Sequence, residues 1–151
     1  MTTSQAIVNR KAKFEYHFLD KYEAGIQLAG PEVKSLRLGN ANINDAYCFF
    51  RNQELYIRNL YIAEYKLASN QDYHNRRDRK LLLRKEELKK LERKSSEKGL
   101  TIIPYKVYFN DRGLVKIKLA LAQGKRLYDK RESIKAKDTK RELERLSRKR
   151  F

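Results

Sequence analysis

The sequence predicts a mainly β fold with flanking helices: a small closed antiparallel barrel of six strands, two main helices and a basic C-terminal tail. Three observations lead there. Apolar residues alternate with polar ones in several short runs, the period of a half-buried strand. Those runs group as hairpins separated by helix-like stretches, and three hairpins in one chain suggest closure into a barrel. Alternation stops at Ala122 while positive charge continues to Phe151.

Taken in order, Met1 to Val8 reads as a flexible N-terminus and residues 9–123 as one domain, a length ample for a single core. Phe14, Tyr16 and Phe18 share one face, Asp20-Lys21 reads as a turn, and Tyr22, Ala24, Ile26 and Leu28 continue on a second strand. Pro31 suits the first position of a helix that runs through Arg37 and stops at Gly39. A second hairpin joins Ile43–Phe50 to Leu55–Leu60 through Arg51-Asn52-Gln53-Glu54. A longer helix is expected over Arg79–Lys98, with Leu81, Leu88 and Leu91 on one face and Gly99 past its end. The third hairpin is the clearest: Ile103, Tyr105, Val107 and Phe109 alternate, Asn110-Asp111-Arg112-Gly113 turns, and Val115, Ile117, Leu119 and Leu121 return.

Charge narrows the function. Against 19 Asp and Glu stand 36 Lys and Arg, a formal charge of +17 over 151 residues. Such a balance draws polyanions and makes nucleic acid the first partner to consider. A membrane surface is disfavoured, since no lipid-seeking apolar face, lipidation signal or long apolar run is visible. Met1 to Phe14 also lacks the apolar centre of a signal peptide, so a cytoplasmic protein is expected. Cys48 is the lone cysteine and sits in a strand-like run, where a buried thiol is the expected role rather than a nucleophile. With only His17 and His74 beside it, no zinc set can be assembled, and no metal, cofactor or catalytic group is expected. Gly124-Lys125 lacks the first glycine and the Ser/Thr of a P-loop.

Two segments invite an RNA reading. Ser69 to Lys80 is a polar loop running into a basic helix start, where Arg77, Arg79 and Lys80 oppose the helix macrodipole and so point to a phosphate partner. Tyr73 or His74 is placed to stack on a base or ribose; a solvated charged loop is the plainer alternative. From Gly124 onward, residues 124–151 are too charged and too poor in apolar side chains to order themselves alone, which predicts a tail disordered when free and helical on a polyanion; a solvated tail that only keeps the protein soluble is the plainer alternative.

Six ordered segments carry a resemblance over nearly the whole chain: Asn9-Arg10-Lys11-Ala12, Gly30 to Arg37, Asn59-Leu60-Tyr61-Ile62, Arg79 to Leu83, Ala120 to Lys125 and Asp129-Lys130-Arg131. Together they closely resemble the SmpB family, the SsrA-binding proteins that work with transfer-messenger RNA in bacterial ribosome rescue. The resemblance implies an OB-like barrel, no enzymatic activity, a monomer, and two partners, transfer-messenger RNA and the ribosome. It assigns the tRNA-like part of that RNA to Asn9, Lys11, Glu32, Lys34, Arg37, His74, Arg77, Arg79 and Lys80. Glu32 cannot neutralise phosphate, so the resemblance implies that it accepts from a base amino group or orients neighbouring Lys and Arg; a simple first-turn helix acid is the plainer alternative. The tail is implied to enter the empty decoding site and messenger path in place of a codon–anticodon pair, through Lys125, Arg126, Tyr128, Asp129, Lys130 and Arg131, continued by Ile134, Lys135, Lys137, Arg141 and Arg145. Three departures stand out: Pro31 where the family usually has Thr, a shortened spacing after His74 without its frequent Pro, and Tyr128 where some members have His. Two alternatives remain, a structural ribosomal or other OB-fold RNA-binding protein and an RNA-modifying or RNA-cleaving enzyme, the latter disfavoured because no acid–base, nucleophile or metal set is readable.

Overall fold

In the computed structural model, residues 6–65, 73–97 and 99–124 are described. The elements in chain order are β1 (Ile7–Val8), α1 (Ala12–Glu15), β2 (Tyr16–Ile26), α2 (Gly30–Arg37), β3 (Ala41–Asn42), β4 (Tyr47–Arg51), β5 (Glu54–Arg58), β6 (Tyr61–Ile62), β7 (Arg79–Leu82), α3 (Lys85–Ser95), β8 (Leu100–Phe109) and β9 (Val115–Gly124). The large sheet runs β1-β8-β4-β5-β7-β2-β9, and β8 also pairs with β9. Those pairings close six strands into an antiparallel ring with β1 added outside the circuit. A minor sheet joins β3 to β6.

The expected strand number is met by a different set of strands. No turn breaks the chain at Asp20-Lys21: β2 is one strand of 11 residues, and its register on β9 shifts between Phe18 and Asp20. Leu19 is left out of register and exposed, as a bulge requires. The bulge also exchanges faces. Tyr16 and Phe18 pack outside the ring with Ala12, Ile103 and Ala122, whereas Tyr22, Ala24 and Ile26 join the interior with Ile117, Leu119 and Leu121. Phe14 belongs to α1 rather than to a strand.

The second correction concerns the long helix expected over Arg79–Lys98. Its first turn is the strand β7, which fills the slot between β5 and β2, and the helix α3 begins only at Lys85. Arg79 and Leu81 point inward and are buried. A charged residue at an inward position hides the period of two, so a strand of four residues escapes notice. The macrodipole argument falls with it, since the first turn of α3 carries Glu86 and Glu87.

The remaining hairpins follow the sequence. Asn52 and Gln53, at φ 51° and 67°, form the two-residue turn between β4 and β5, the left-handed geometry whose twist suits a hairpin. Gly39, at positive φ, directly follows the C-cap of α2 as a helix stop, whereas α3 is capped at Ser96 and Gly99, also at positive φ, lies in the turn that leads into β8. Strand register places α2 at one mouth of the ring, beside the end of β2 and the start of β7. At the other mouth lie α3, the end of β7 and Gly124. Leu36 from α2 and Leu91 from α3 both enter the same core. None of the described helices is long and apolar enough to cross a membrane.

Candidate nucleic-acid interface

The α2 mouth is built around a buried carboxylate. Ala29 precedes α2 and has no side-chain acceptor, so the helix start is held by Glu32, whose Oε1 accepts from the Ala29 N–H at 2.9 Å. That is half of a capping box. The same carboxylate, 1% exposed, also accepts from Arg77 Nη2 at 2.5 Å and from Arg79 Nε at 2.7 Å, and Arg79 Nη2 completes the ion pair 2.6 Å from Oε2. Burial pushes its pKa up, but the hydrogen bonds from Arg77 and Ala29 and the charge of Arg79 hold the carboxyl below its usual value.

Arg79 is the complement of that carboxylate. It is wholly buried, and beyond Glu32 it donates to the carbonyls of Leu60 at 2.7 Å, Arg77 at 3.3 Å and Asn75 at 3.3 Å. A guanidinium has five N–H donors, and hydrogen bonds to Glu32, Leu60, Arg77 and Asn75 use four of them. The consequence is local order across a distant pair of segments, because α2 and the chain from Asn75 to Arg79 are fixed to one another through ions. Further bonds pin the same chain: Tyr73 donates its hydroxyl to the Ile62 carbonyl at 2.7 Å, the Ile62 N–H donates to Asn75, and the Arg77 N–H donates to His74.

Around this buried pair stands a rim of exposed cations. Lys34 and Arg37 leave α2 outward, with Lys34 Nζ 5.3 Å from the Tyr65 ring centre and the Arg37 guanidinium 4.8 Å from that of Phe109. Arg76 lies over Tyr61 at 5.3 Å, and Arg77 keeps 40% of its side chain exposed despite its bond to Glu32. His74 is exposed beside them. Stacking on rings fixes long side chains in place and leaves their charge available.

Of the residues singled out in the sequence, Glu32, Arg77 and Arg79 come into direct contact, with Lys34, Arg37 and His74 on the surrounding surface. The others are anchored elsewhere. Asn9 is buried, donates from Nδ2 to Asn44 at 3.4 Å, accepts the Lys11 N–H at 3.2 Å, and so organises the turn into α1, leaving the Lys11 side chain exposed. Lys80 points outward from β7 and pairs with Glu54 at 2.8 Å. Tyr73 has its hydroxyl committed to Ile62, which leaves His74 as the more open ring. Lys125, Arg126, Tyr128, Asp129, Lys130, Arg131, Ile134, Lys135, Lys137, Arg141 and Arg145 lie outside the described residues. Cys48 is buried among apolar neighbours, which pushes its thiol pKa up and away from nucleophilic use. The sequence reading missed Asp78, which binds Arg58 and Arg51, and the only signal was an acid set between Arg77 and Arg79.

A closed antiparallel ring with a helix at each mouth and a cationic rim over a buried ion pair defines a small basic β-ring protein. Residues 6–149 match the family model described as SmpB protein, and the chain belongs to that family. It is 52% identical over 146 residues to the SsrA-binding protein of Christiangramia forsetii, covering 97% of this chain and 93% of that one. It is 56% identical over 140 residues to the SsrA-binding protein of Cytophaga hutchinsonii, covering 93% and 92%. Among solved structures, a chain from "tmRNA-SmpB: a journey to the center of the bacterial ribosome" is similar at a TM-score of 0.68 and 47% identity, over 85% of this chain and 94% of that chain.

Proposed function

We propose that this protein binds transfer-messenger RNA through the cationic rim of the α2 mouth and brings it to stalled ribosomes for trans-translation, as a cytoplasmic adaptor and not an enzyme. The observation that carries the reading is the separation of the two basic regions. The rim lies at one mouth, while the chain leaves β9 at Gly124 at the other, into a segment dense in Lys and Arg. One molecule can therefore hold RNA at one end and engage the ribosome at the other. The relatives named above are SsrA-binding proteins, which supports the choice of RNA.

In this reading Lys34, Arg37, Arg76 and Arg77 meet phosphate oxygens, His74 offers a ring to a base or ribose, and Glu32 with Arg79 holds these groups in register. Glu32 acts by orienting arginines, since its oxygens are already occupied. The segment after Gly124 enters the empty decoding site and messenger path, becoming helical there, with Lys125 to Arg131 first and Ile134 to Arg145 beyond. Truncation after Gly124 tests the division directly. The truncated protein is expected to retain transfer-messenger RNA on purification at moderate salt and to lose tagging of nascent chains; equal tagging by both proteins would overturn it.

A further inference from the structure

Asp78 stands between Arg77, whose guanidinium faces the α2 mouth, and Arg79, which is buried inside the ring. Its own carboxylate reaches across the outer face of the sheet to β5 and β4. Arg58 donates Nε to Oδ1 and Nη2 to Oδ2, each at 3.0 Å, a fork-to-fork pair, and Arg51 adds Nη2 to Oδ2 at 3.2 Å. Both arginines are themselves held by rings. The Arg58 guanidinium lies 4.3 Å from the centre of Phe49, that of Arg51 lies 5.2 Å from Phe49 and 5.3 Å from Tyr56, and the two rings stack at 5.9 Å. Asp78 is therefore tied to the rigid β4–β5 hairpin, and its backbone carbonyl accepts from Arg77 Nη1 at 3.4 Å.

A carboxylate next to a phosphate-binding arginine has the wrong sign to help by charge. Its use has to be mechanical. We propose that Asp78 is a positioning residue for RNA binding: with Glu32 gripping Arg77 from within the ring, Asp78 clasps the same stretch from outside, so that Arg77 meets RNA already oriented. A clasp of this kind strengthens binding by removing the ordering cost from the binding step. The inference rests on the reading that RNA meets the α2 rim.

Asp78→Asn keeps the shape and removes the charge, and Asp78→Glu keeps the charge. Each is made in the full-length protein, alone and combined with Arg77→Ala, and binding of transfer-messenger RNA is measured across a salt series. Asp78→Asn is expected to weaken binding about ten-fold, with an unchanged log–log salt slope, and to have no further effect once Arg77 is Ala. Asp78→Glu should recover most of the loss. Tighter binding with a steeper slope would show that the carboxylate merely opposes phosphate, and equal loss in both Arg77 backgrounds would show general damage to the fold. A lower thermal midpoint at unchanged affinity likewise overturns the proposal. Failure of the underlying reading looks different: the unsubstituted protein and Arg77→Ala would then bind this RNA alike.

Discussion

At the α2 mouth a carboxylate and a guanidinium, Glu32 and Arg79, are 1% and 0% exposed, whereas at the α3 mouth the fully buried side chain is Leu91 and the nearby ion pair, Lys94 with Asp20, stays at the surface. An apolar plug is non-directional and accepts many neighbours. An ionic plug is directional, because every donor needs its own acceptor. The first kind only shuts an end; the second also dictates where the chain from Asn75 to Arg79 runs, and so where the rim cations stand.

The comparison breaks most visibly under conservative exchange. Arg79→Ala leaves Glu32 buried without its main partner and is expected to cost about 3 to 5 kcal/mol, while Leu91→Ala opens a cavity worth about 2 to 5 kcal/mol. Truncation alone does not separate the two mouths. Arg79→Lys does, because three ammonium donors cannot replace five in a fixed fork, so it should cost nearly as much as Arg79→Ala. Leu91→Met keeps volume and apolarity and should cost less than about 1.5 kcal/mol. Urea denaturation of the four variants measures this, and a native-like Arg79→Lys would show that the α2 mouth needs only charge.

Acid should act on the same end. The folded Glu32 carboxyl lies below its unfolded value, so its contribution is fully present above the unfolded pKa of about 4.3 and is lost as pH falls through the folded value. Glu32→Gln is therefore expected to flatten the acid limb of the stability–pH curve, at the expense of stability near neutral pH. Asp20 is also lowered, first by its hydrogen bond from Lys94, but it is open to solvent, and Asp20→Asn should leave that limb close to the wild type. Equal flattening by both variants would erase the distinction between the mouths.

How much of this was legible in the sequence follows the same division. Leu88 and Leu91 on one face of α3, the alternation of β8 and β9, and Pro31 before Gly39 are local signals, and each led to the right element in place or nearly so. The ionic plug carries no local signal. Glu32 and Arg79 are 47 residues apart, and nothing in either window says that they meet. In its local window Arg79 has the signature of a helix-start cation, and that signature hides β7. The expected and observed strand numbers agree because two differences offset: the alternation divides β2 at what is a bulge, and it omits β7. Glu32 could be flagged only through the family resemblance, and its partners required the fold.

The smallest effect should come from the ion pair at the α3 mouth. Lys94 Nζ approaches Asp20 Oδ2 at 2.5 Å, as close as any pair at the α2 mouth, and each raises or lowers the other's pKa in the direction of mutual attraction. Distance alone would therefore rank it with Arg77 and Glu32. Exposure argues otherwise, since the two side chains remain 36% and 40% accessible and water screens both charges before and after the pair is broken. Losing either partner leaves no buried ion behind, whereas losing Arg79 does. Lys94→Ala is accordingly expected to leave the thermal midpoint unchanged within error at physiological salt, and raising the salt should alter variant and wild type alike. A loss approaching that of Arg79→Ala would mean that the α3 mouth is also sealed by ions, and that burial is not what separates the two ends.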